Sequence, residues 1–326
     1  MKKIELLTLA FTLILCLNAP LFAGEQVIKF STSGAPDHPN TIALMKFVET
    51  VNKQAPGRLK IELFPANQLG NGKEVIENVM TGSIHMFLTG TSETSLFQTE
   101  FSIMDAPYLF RDYDHLMKAA RSDAMKEIFQ KIEKNRGIKI NTMEIYYGAR
   151  HLTTRNKPIK SPADLKGMLI RAPGQPIYLD TVRAMGATPT PVAFSDLYMA
   201  LKQGVVDGQE NPIPTIYAYK YYEAQKYLML TGHMLRVNVV GCNAAWYNSL
   251  SDDLKQIMEK AMAETVKLNS ELTLKEEKDM LVELKKLGMI VIEPDVPAFR
   301  AAMKDIPSKW EDKWGKGLYE KLANIK

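Results

Sequence analysis

Arg171 is the residue of this chain whose chemistry is easiest to anticipate. It closes the short apolar run Met168-Leu169-Ile170, directly after Gly167, so a strand there would carry the guanidinium at its end. A guanidinium is a planar fork of donors that matches both oxygens of a carboxylate, and exclusion of water strengthens that bond. An arginine at the end of a strand can bind a ligand carboxylate, but more often it pairs with an acid of the protein itself.

No catalytic motif accompanies this arginine. The sequence contains no nucleophile elbow, zinc-spaced histidine set, glycine-rich phosphate loop or cysteine–histidine pairing. The paired acids Asp252 and Asp253 are explained by the first turn of a helix. We therefore expect a binding protein that is not an enzyme, with no cofactor and no metal-ligand residues, and the participation of a cation in binding stays open. An enzyme that uses Glu74 or Glu210 as a base in the same cleft is the alternative.

The first 23 residues indicate export. Lys2 and Lys3 precede a mostly apolar stretch, residues 4–17, and Ala23 offers a cleavage point, which is the layout of a secretory signal peptide. We expect cleavage near Ala23 and a soluble mature protein. The 41 basic and 37 acidic residues are interspersed along the chain, so no nucleic-acid partner is expected.

The elements that would position Arg171 form two similar units. In the first unit, strand patterns and helix patterns alternate, which predicts an α/β fold with a largely parallel sheet. The strands are expected at 27–31, 59–64 and 84–88, and the helices at 42–51 and 73–81. A second unit of the same kind begins near Arg150. Two α/β units in tandem imply a cleft between them, where small ligands usually bind.

A single long helix is expected to join the two units. Ser251 and two acids begin the pattern, Lys285 and Lys286 lie in its last turn, and Gly288 follows it. At 1.5 Å per residue such a helix would reach roughly 55 Å, which is longer than one small domain is wide.

Three motifs in the second unit carry a family resemblance. They are GARHLTT (148–154) with SPADLKG (161–167) and Ile170-Arg171, then GATPTP (186–191) with FSDLY (194–198), and finally ALKQGVVDGQENP (200–212). With weaker agreement elsewhere, the chain resembles the dicarboxylate-binding type of solute-binding proteins that serve TRAP (tripartite ATP-independent periplasmic) transporters. The resemblance covers nearly the whole mature chain.

The resemblance implies a fold, a compartment and partners. The fold would be the two-domain periplasmic-binding-protein (Venus-flytrap) architecture, here with a long domain-spanning helix. The expected boundaries are 1–23 for the signal peptide, 24–148 plus 237–275 for domain I, and 149–236 plus 276–326 for domain II. The protein would be periplasmic and would deliver a small organic acid to the small and large TRAP membrane subunits.

The resemblance also implies site residues in the second unit. Arg171 would form the main salt bridge to the ligand carboxylate, Arg150 and Asn211 would support it, and Phe194 would pack against the carbon skeleton. Asn211 as a turn cap and Phe194 as ordinary core are the alternatives. A buried Arg150 needs an acidic partner. The family pattern places it with Glu210 and His233 in a network that could couple ligand capture to closure, unless His233 is a surface histidine.

Ligand discrimination is expected from the first domain. The candidates are His38, Gln68, Asn71, Glu74 and Thr91, all in predicted loops or helix starts. A carboxylate at Glu74 would repel a second ligand carboxylate. That favours a uronic or aldonic sugar acid over a C4-dicarboxylate, with Glu74 as a solvated first-turn acid as the alternative. A ligand sensor that reports to a receptor, and not to a transporter, also stays open.

Overall fold

The computed structural model describes residues 24–326, so the predicted signal peptide lies outside the described residues. The strands are β1 (Gln26–Thr32), β2 (Leu59–Phe64), β3 (Met86–Gly90), β4 (Ile138–Thr154), β5 (Leu169–Ala172), β6 (Thr188–Pro191), β7 (Gly208–Pro212), β8 (Tyr227–Asn243) and β9 (Ile290–Ile292). The helices that precede β7 are α1 (Pro39–Gln54), α2 (Gly72–Met80), α3 (Thr91–Thr94), α4 (Tyr113–Ala120), α5 (Asp123–Arg136), α6 (Pro176–Ala184) and α7 (Leu197–Gln203). The later ones are α8 (Ile213–Ala218), α9 (Ala244–Ser249), α10 (Asp252–Lys286), α11 (Val296–Ala302), α12 (Ile306–Trp314) and α13 (Leu318–Ala323). Across residues 24–326, no helix combines the length and apolar composition of a bilayer crossing.

The strands form one mixed sheet in the order β2-β1-β3-β8-β4-β7-β5-β6, with β9 added to β8. At one end, β1 pairs in parallel with both β2 and β3. At the other end, β5 pairs in parallel with both β6 and β7. The parallel sheet expected in the first unit is therefore confirmed for these outer strands. The centre differs, because β3–β8, β8–β4 and β4–β7 are antiparallel.

The two central strands, β4 and β8, were not predicted from the sequence. Each is 17 residues long, and their shared ladder shifts register four times. These irregularities break the regular alternation by which a strand is recognised. At one of them Gly148 has φ +113°, and a β-carbon there would lie 2.9 Å from both Pro212 Cβ and Glu277 Oε1. Only glycine fits this position without strain.

Helix α10 confirms the predicted long helix. It runs for 35 residues, with Asp252 and Asp253 in the first turn and Lys285 and Lys286 in the last, as the charge pattern indicated. Asn269 Nδ2 in its middle donates to Asn40 Oδ1 of α1, at 2.9 Å. Nearer its end, Leu284 packs in a core cluster with residues of α7, α8 and β8. The helix thus packs against helices of both units.

The C-terminal helices do not pack against one unit alone. Trp310 and Trp314 of α12 are buried in a cluster that contains residues of α2 and of α6. The indole Nε1 of Trp314 donates to Ser102 Oγ at 2.9 Å, and that of Trp310 donates to Asp180 Oδ2 at 3.0 Å. This segment therefore contacts both units, although the sequence assigned it to domain II.

Candidate ligand-binding site

A cavity of about 200 Å³ lies where the two ends of the sheet face each other. One wall comes from the segments that follow β1, β2 and β3, and the other from those that follow β5 and β6; β4, β7 and β8 form its base. A larger groove of about 480 Å³ lies between Tyr108 and the C-terminal helices. The smaller cavity is the candidate site, because it contains Arg150, Arg171 and Arg236, three guanidinium groups that are almost completely buried.

Arg171 is held without any acidic partner. Its Nε and Nη2 donate to the carbonyl oxygen of Val192, at 3.0 and 2.9 Å. The guanidinium carbon lies 6.0 Å from the centre of the Phe194 ring. No carboxylate in residues 24–326 forms an ion pair with it, and its Nη1 has no protein partner there. Burial lowers the pKa of Arg171 from its ordinary value, which is the signature of a cation whose charge is poorly compensated.

Arg150 has the opposite environment. Its Nε and Nη2 both bind the carboxylate of Glu210, and Nη2 also donates to the Glu210 carbonyl oxygen at 2.6 Å. His233 Nε2 lies 3.1 Å from the same carboxylate. Burial alone would raise the pKa of Glu210, but Arg150 and His233 outweigh it and lower the pKa to about 2. The structure thus brings the three predicted network residues together, with the charge of Arg150 neutralised.

Asn211 and Phe194 both lie on the cavity wall, as expected. The Asn211 amide donates to Gln209 Oε1 at 2.5 Å, and Gln209 in turn donates to Thr153 Oγ1 at 2.9 Å. This chain fixes the Asn211 side chain at the base of the cavity. Phe194 packs edge-on against Tyr219, with ring centres 4.7 Å apart. The wall beside Arg171 is therefore aromatic and can pack against a carbon chain.

Glu74 is not on the cavity wall, which corrects the expectation from sequence. Its carboxylate accepts a hydrogen bond from the Asn71 backbone N–H at 2.9 Å. Asn71 does line the cavity, but its side-chain oxygen accepts from the N–H groups of Lys73 and Glu74, both at 3.1 Å. The two side chains form a reciprocal capping box at the start of α2. The alternative reading of Glu74, a first-turn acid, is the one that the structure supports.

Three other first-domain candidates also lie off the wall. His38 is the N-cap of α1, with Nδ1 accepting from the Asn40 N–H at 3.2 Å. Thr91 is buried between Asp105 and Arg236, and it bonds to both. Gln68 is exposed on the β2–α2 loop. These side chains could not be oriented from sequence, because each stands at a loop or helix start where one residue of offset changes its direction.

The polar residues of the cavity wall that sequence reasoning missed include Glu93, Tyr147 and Arg236. Arg236 had a signal, since it is a lone cation within the apolar run of β8 and therefore needs a buried partner. That partner is Asp105, whose Oδ1 lies 2.9 Å from Arg236 Nε. The two groups form an ion pair, but the Nε geometry is too bent for a hydrogen bond. Burial raises the pKa of Asp105, and Arg236 opposes that effect.

Glu93 supplies the acidic end of the cavity. A β-carbon on Gly90 would lie 2.5 Å from Glu93 Oε2 and 2.7 Å from Arg236 Nη2, so these two side-chain ends would have to move to make room for it. Arg150 is offset by Glu210, and Arg236 by Asp105, so Arg171 is the buried cation without a carboxylate among residues 24–326. Within the described residues, the cavity therefore has a cation without an ion-pair partner on one wall and a carboxylate on the opposite wall.

An α/β sheet with two facing parallel ends, and a small charged cavity between them, defines a protein of the solute-binding class. The model of the family described as bacterial extracellular solute-binding protein, family 7, matches residues 30–313. The chain is 28% identical over 328 residues to the sialic acid-binding periplasmic protein SiaP of Vibrio cholerae, with 99% of each chain covered. Two similar solved structures are TRAP periplasmic solute-binding proteins, each with a TM-score of 0.87 and 30% identity. The one from Fusobacterium nucleatum holds sn-glycerol 3-phosphate, with 91% of this chain and 96% of that chain covered, and the one from Actinobacillus succinogenes holds L-galactonate, with 91% and 98% covered.

The chain belongs to this family, the solute-binding proteins of TRAP transporters, and the predicted resemblance is confirmed. The predicted two-domain fold is confirmed by the same solved relatives. The family consists of periplasmic proteins that bind small organic acids for transport and are not enzymes, so the non-catalytic prediction is also confirmed. The base-catalysis alternative is not supported, because Glu210 is fully engaged by Arg150 and His233.

Proposed function

We propose that this protein captures a hydroxylated monocarboxylic acid, such as an aldonic or uronic sugar acid, and delivers it to TRAP membrane subunits. The proposal rests on the observation that Arg171 is buried and has no carboxylate partner among residues 24–326. A buried guanidinium without a carboxylate is costly, and a ligand carboxylate would remove that cost. Val192 orients the fork, and Nη1 stays available. The carboxylate would thus bind between Arg171 and the base of the cavity, where Asn211 lies.

The opposite wall supports a neutral, hydroxylated second end of the ligand. Glu93 repels a second carboxylate, and it accepts hydrogen bonds from hydroxyl groups. Ser33, Asn67 and Ser92 also line the cavity and add further polar groups to that wall. L-galactonate, the ligand of the Actinobacillus relative, has this combination of one carboxylate and several hydroxyls. A C4-dicarboxylate places a second charge near Glu93 and is the less favoured alternative.

The delivery role and the domain motion extend the same proposal. We propose that residues 1–23 are removed on export, and that domains 24–148 plus 237–275 and 149–236 plus 276–326 close on the ligand. The sheet supports this division, since β1–β3 and β5–β7 form separate parallel sets joined by β4 and β8. The small and large membrane subunits would receive the ligand from the closed form. A ligand sensor would use the same cavity. Cells that lack the protein should lose uptake of the acid if the protein serves a transporter, and should keep that uptake if it serves a receptor.

A thermal-shift screen tests the ligand class. The panel contains L-galactonate, D-gluconate, D-glucuronate, N-acetylneuraminate, succinate and glycerol 3-phosphate. An acid at 100 times its dissociation constant adds about 2.7 kcal/mol of stability. We expect the largest shift from a sugar acid and none from it in an Arg171→Ala variant. Arg183→Ala, on the exposed face of α6, is the matched control and should respond like wild type. A best binder without a carboxylate, or one unaffected by Arg171→Ala, would contradict the proposal.

A further inference from the structure

Tyr147 lies on the cavity wall at the end of a chain of three hydrogen bonds that no part of the proposed function has used. The chain starts at the N-terminus of α1 and passes through His38 and Thr215 before it reaches the Tyr147 hydroxyl. His38 is 1% exposed and Thr215 is 0% exposed, so the protein itself must decide the direction of each bond. Tyr147 is only half-buried and faces the ligand space.

The first bond fixes the tautomer of His38. Its Nδ1 lies 3.2 Å from the backbone nitrogen of Asn40, which can only donate. Nδ1 must therefore be unprotonated, and the neutral ring carries its proton on Nε2. Burial lowers the pKa of His38 to about 4, so the ring stays neutral near pH 7. The position of this proton is a consequence of the N-cap geometry of α1.

The direction of the second bond follows from the first, and the direction of the third is given by the geometry of the two hydroxyl groups. His38 Nε2 lies 3.2 Å from Thr215 Oγ1 and donates to it. Thr215 Oγ1 lies 2.8 Å from the Tyr147 hydroxyl, and its own proton is directed at that oxygen. The Tyr147 oxygen is thus an acceptor towards Thr215. Among residues 24–326 no group accepts a hydrogen bond from the Tyr147 hydroxyl, and Tyr147 lines the cavity.

We propose that Tyr147 is a ligand-binding residue that acts as an obligate hydrogen-bond donor, because the Asn40–His38–Thr215 chain leaves its hydroxyl proton for the ligand. This inference rests on the proposed function and specifies it further. The ligand must present an acceptor at Tyr147, which a carboxylate or hydroxyl oxygen does and an ammonium group does not. His38 and Thr215 are positioning residues, so the His38 predicted as a contact acts two hydrogen bonds behind the wall.

The opposite tautomer would break the bond from the Asn40 N–H and reverse the other two. With the proton on Nδ1, His38 Nε2 would accept from Thr215, Thr215 would accept from Tyr147, and Tyr147 could only accept from the ligand. The direction of the chain therefore decides which ligand atom the site selects at this position. The ring of Tyr147 stacks on His38 with centres 5.4 Å apart, so removal of the hydroxyl leaves its packing in place.

The test combines a binding measurement with a tautomer measurement. The tightest acid of the panel is titrated calorimetrically into wild type, Tyr147→Phe, Thr215→Val and a Tyr217→Phe control. Tyr217 is half-buried on α8 and does not line the cavity. We expect Tyr147→Phe to weaken binding on the order of tenfold. Thr215→Val should weaken it less, because the freed hydroxyl can still donate, and Tyr217→Phe should match wild type.

The tautomer is read from the imidazole ¹⁵N chemical shifts of His38 in the ligand-free protein. A protonated Nε2 with a bare Nδ1 supports the proposal, and a protonated Nδ1 overturns it whichever acid binds. Unchanged affinity in Tyr147→Phe, while Arg171→Ala abolishes binding, overturns this inference and leaves the proposed function standing. If no acid of the panel binds wild type, the proposed function falls, and the tautomer alone decides the direction of the chain.

Discussion

Arg150 and Arg171 are two buried guanidinium groups at one cavity, and they are stabilised in different ways. Arg150 is bound by a carboxylate, a carbonyl oxygen and, through Glu210, a histidine. Arg171 is bound by a single carbonyl oxygen. Both are 2% exposed, so solvent does not explain the difference.

The difference separates a structural charge from a functional one. The Arg150–Glu210 pair is complete within the protein, so a ligand can change its charge balance little. Arg171 is incomplete, and the missing partner is the ligand carboxylate. A buried cation that is held by dipoles alone can therefore mark an anion site before any ligand is known.

The largest effect is expected when the complete pair is broken. Arg150→Met leaves the Glu210 carboxylate buried without its main partner, which costs about 3–5 kcal/mol. Urea unfolding of the ligand-free protein measures this loss. Arg150→Met with Glu210→Gln should recover most of it, because no unpaired charge is left. Equal stability of the single and double variants would show that Glu210 does not depend on Arg150.

Replacement of Arg171 should have the opposite effect, with little change in stability and a large loss of affinity. Arg171→Met removes a cation that has no acidic partner, so we expect ligand-free stability to change by no more than about 1 kcal/mol. Affinity for the best acid should fall at least hundredfold, which corresponds to about 2.7 kcal/mol. Arg171→Lys keeps the charge but loses the fork of donors, so its affinity for the best acid should lie between those of wild type and Arg171→Met. A stability loss as large as that of Arg150→Met would erase the distinction between the two arginines.

Acid should weaken the Arg150 side of the cavity. The pKa of Glu210 is lowered from 4.5 to about 2, so its contribution to stability is present above pH 4.5 and is lost as pH falls towards 2. Burial lowers the pKa of His233 below 6.5, so the unfolded state binds that proton first and acid is again destabilising. Urea unfolding at several pH values should show that the difference in unfolding free energy between wild type and Glu210→Gln becomes smaller from pH 4.5 to 2. A constant difference would contradict a stabilising role of the ionised Glu210 carboxylate.

The smallest effect concerns the contact between the two walls. Tyr219 packs on Phe194 beside Arg171, and its hydroxyl donates to the Ser33 carbonyl oxygen at 2.5 Å on the opposite wall. Tyr219→Phe removes one hydrogen bond, worth about 0.5–1.5 kcal/mol, and should weaken binding three- to tenfold. Stopped-flow measurements should assign the change to faster release. Tyr222→Phe, in the next turn, is the control, and equal release rates in both variants would refute a role for this contact.

Much of the fold could be predicted because its signals are local. The outer strands and helix α10 have clear periodicity and end signals, and they lie close to the expected positions. Strands β4 and β8 were missed because their bulges and buried polar residues, such as Arg150 and His233, obscure a two-residue repeat. Their partners lie far apart in sequence, and no local pattern encodes that pairing.

The site residues also fall into a group that local motifs identify and a group that they do not. Arg150, Arg171, Asn211 and Phe194 were named from contiguous motifs, and the structure gathers them at one cavity. On the other wall the sequence favoured Glu74, but a capping box binds its carboxylate, and Glu93 lies on the wall instead. Two acids at helix starts look alike in sequence. Which one faces the ligand depends on the direction in which each helix leaves its strand.

The long pairing of β4 with β8 also constrains when the chain can fold. Strand β3 acquires its second neighbour only from residues Asn238–Cys242, and helix α1 is covered by α10, which ends at Lys286. The N-terminal third of the chain therefore has no complete sheet or helical layer until most of the polypeptide has been made. Contacts this distant in sequence also form slowly. A chain built in this way completes its sheet late in synthesis, and late folding is the condition in which a chain can be threaded across a membrane.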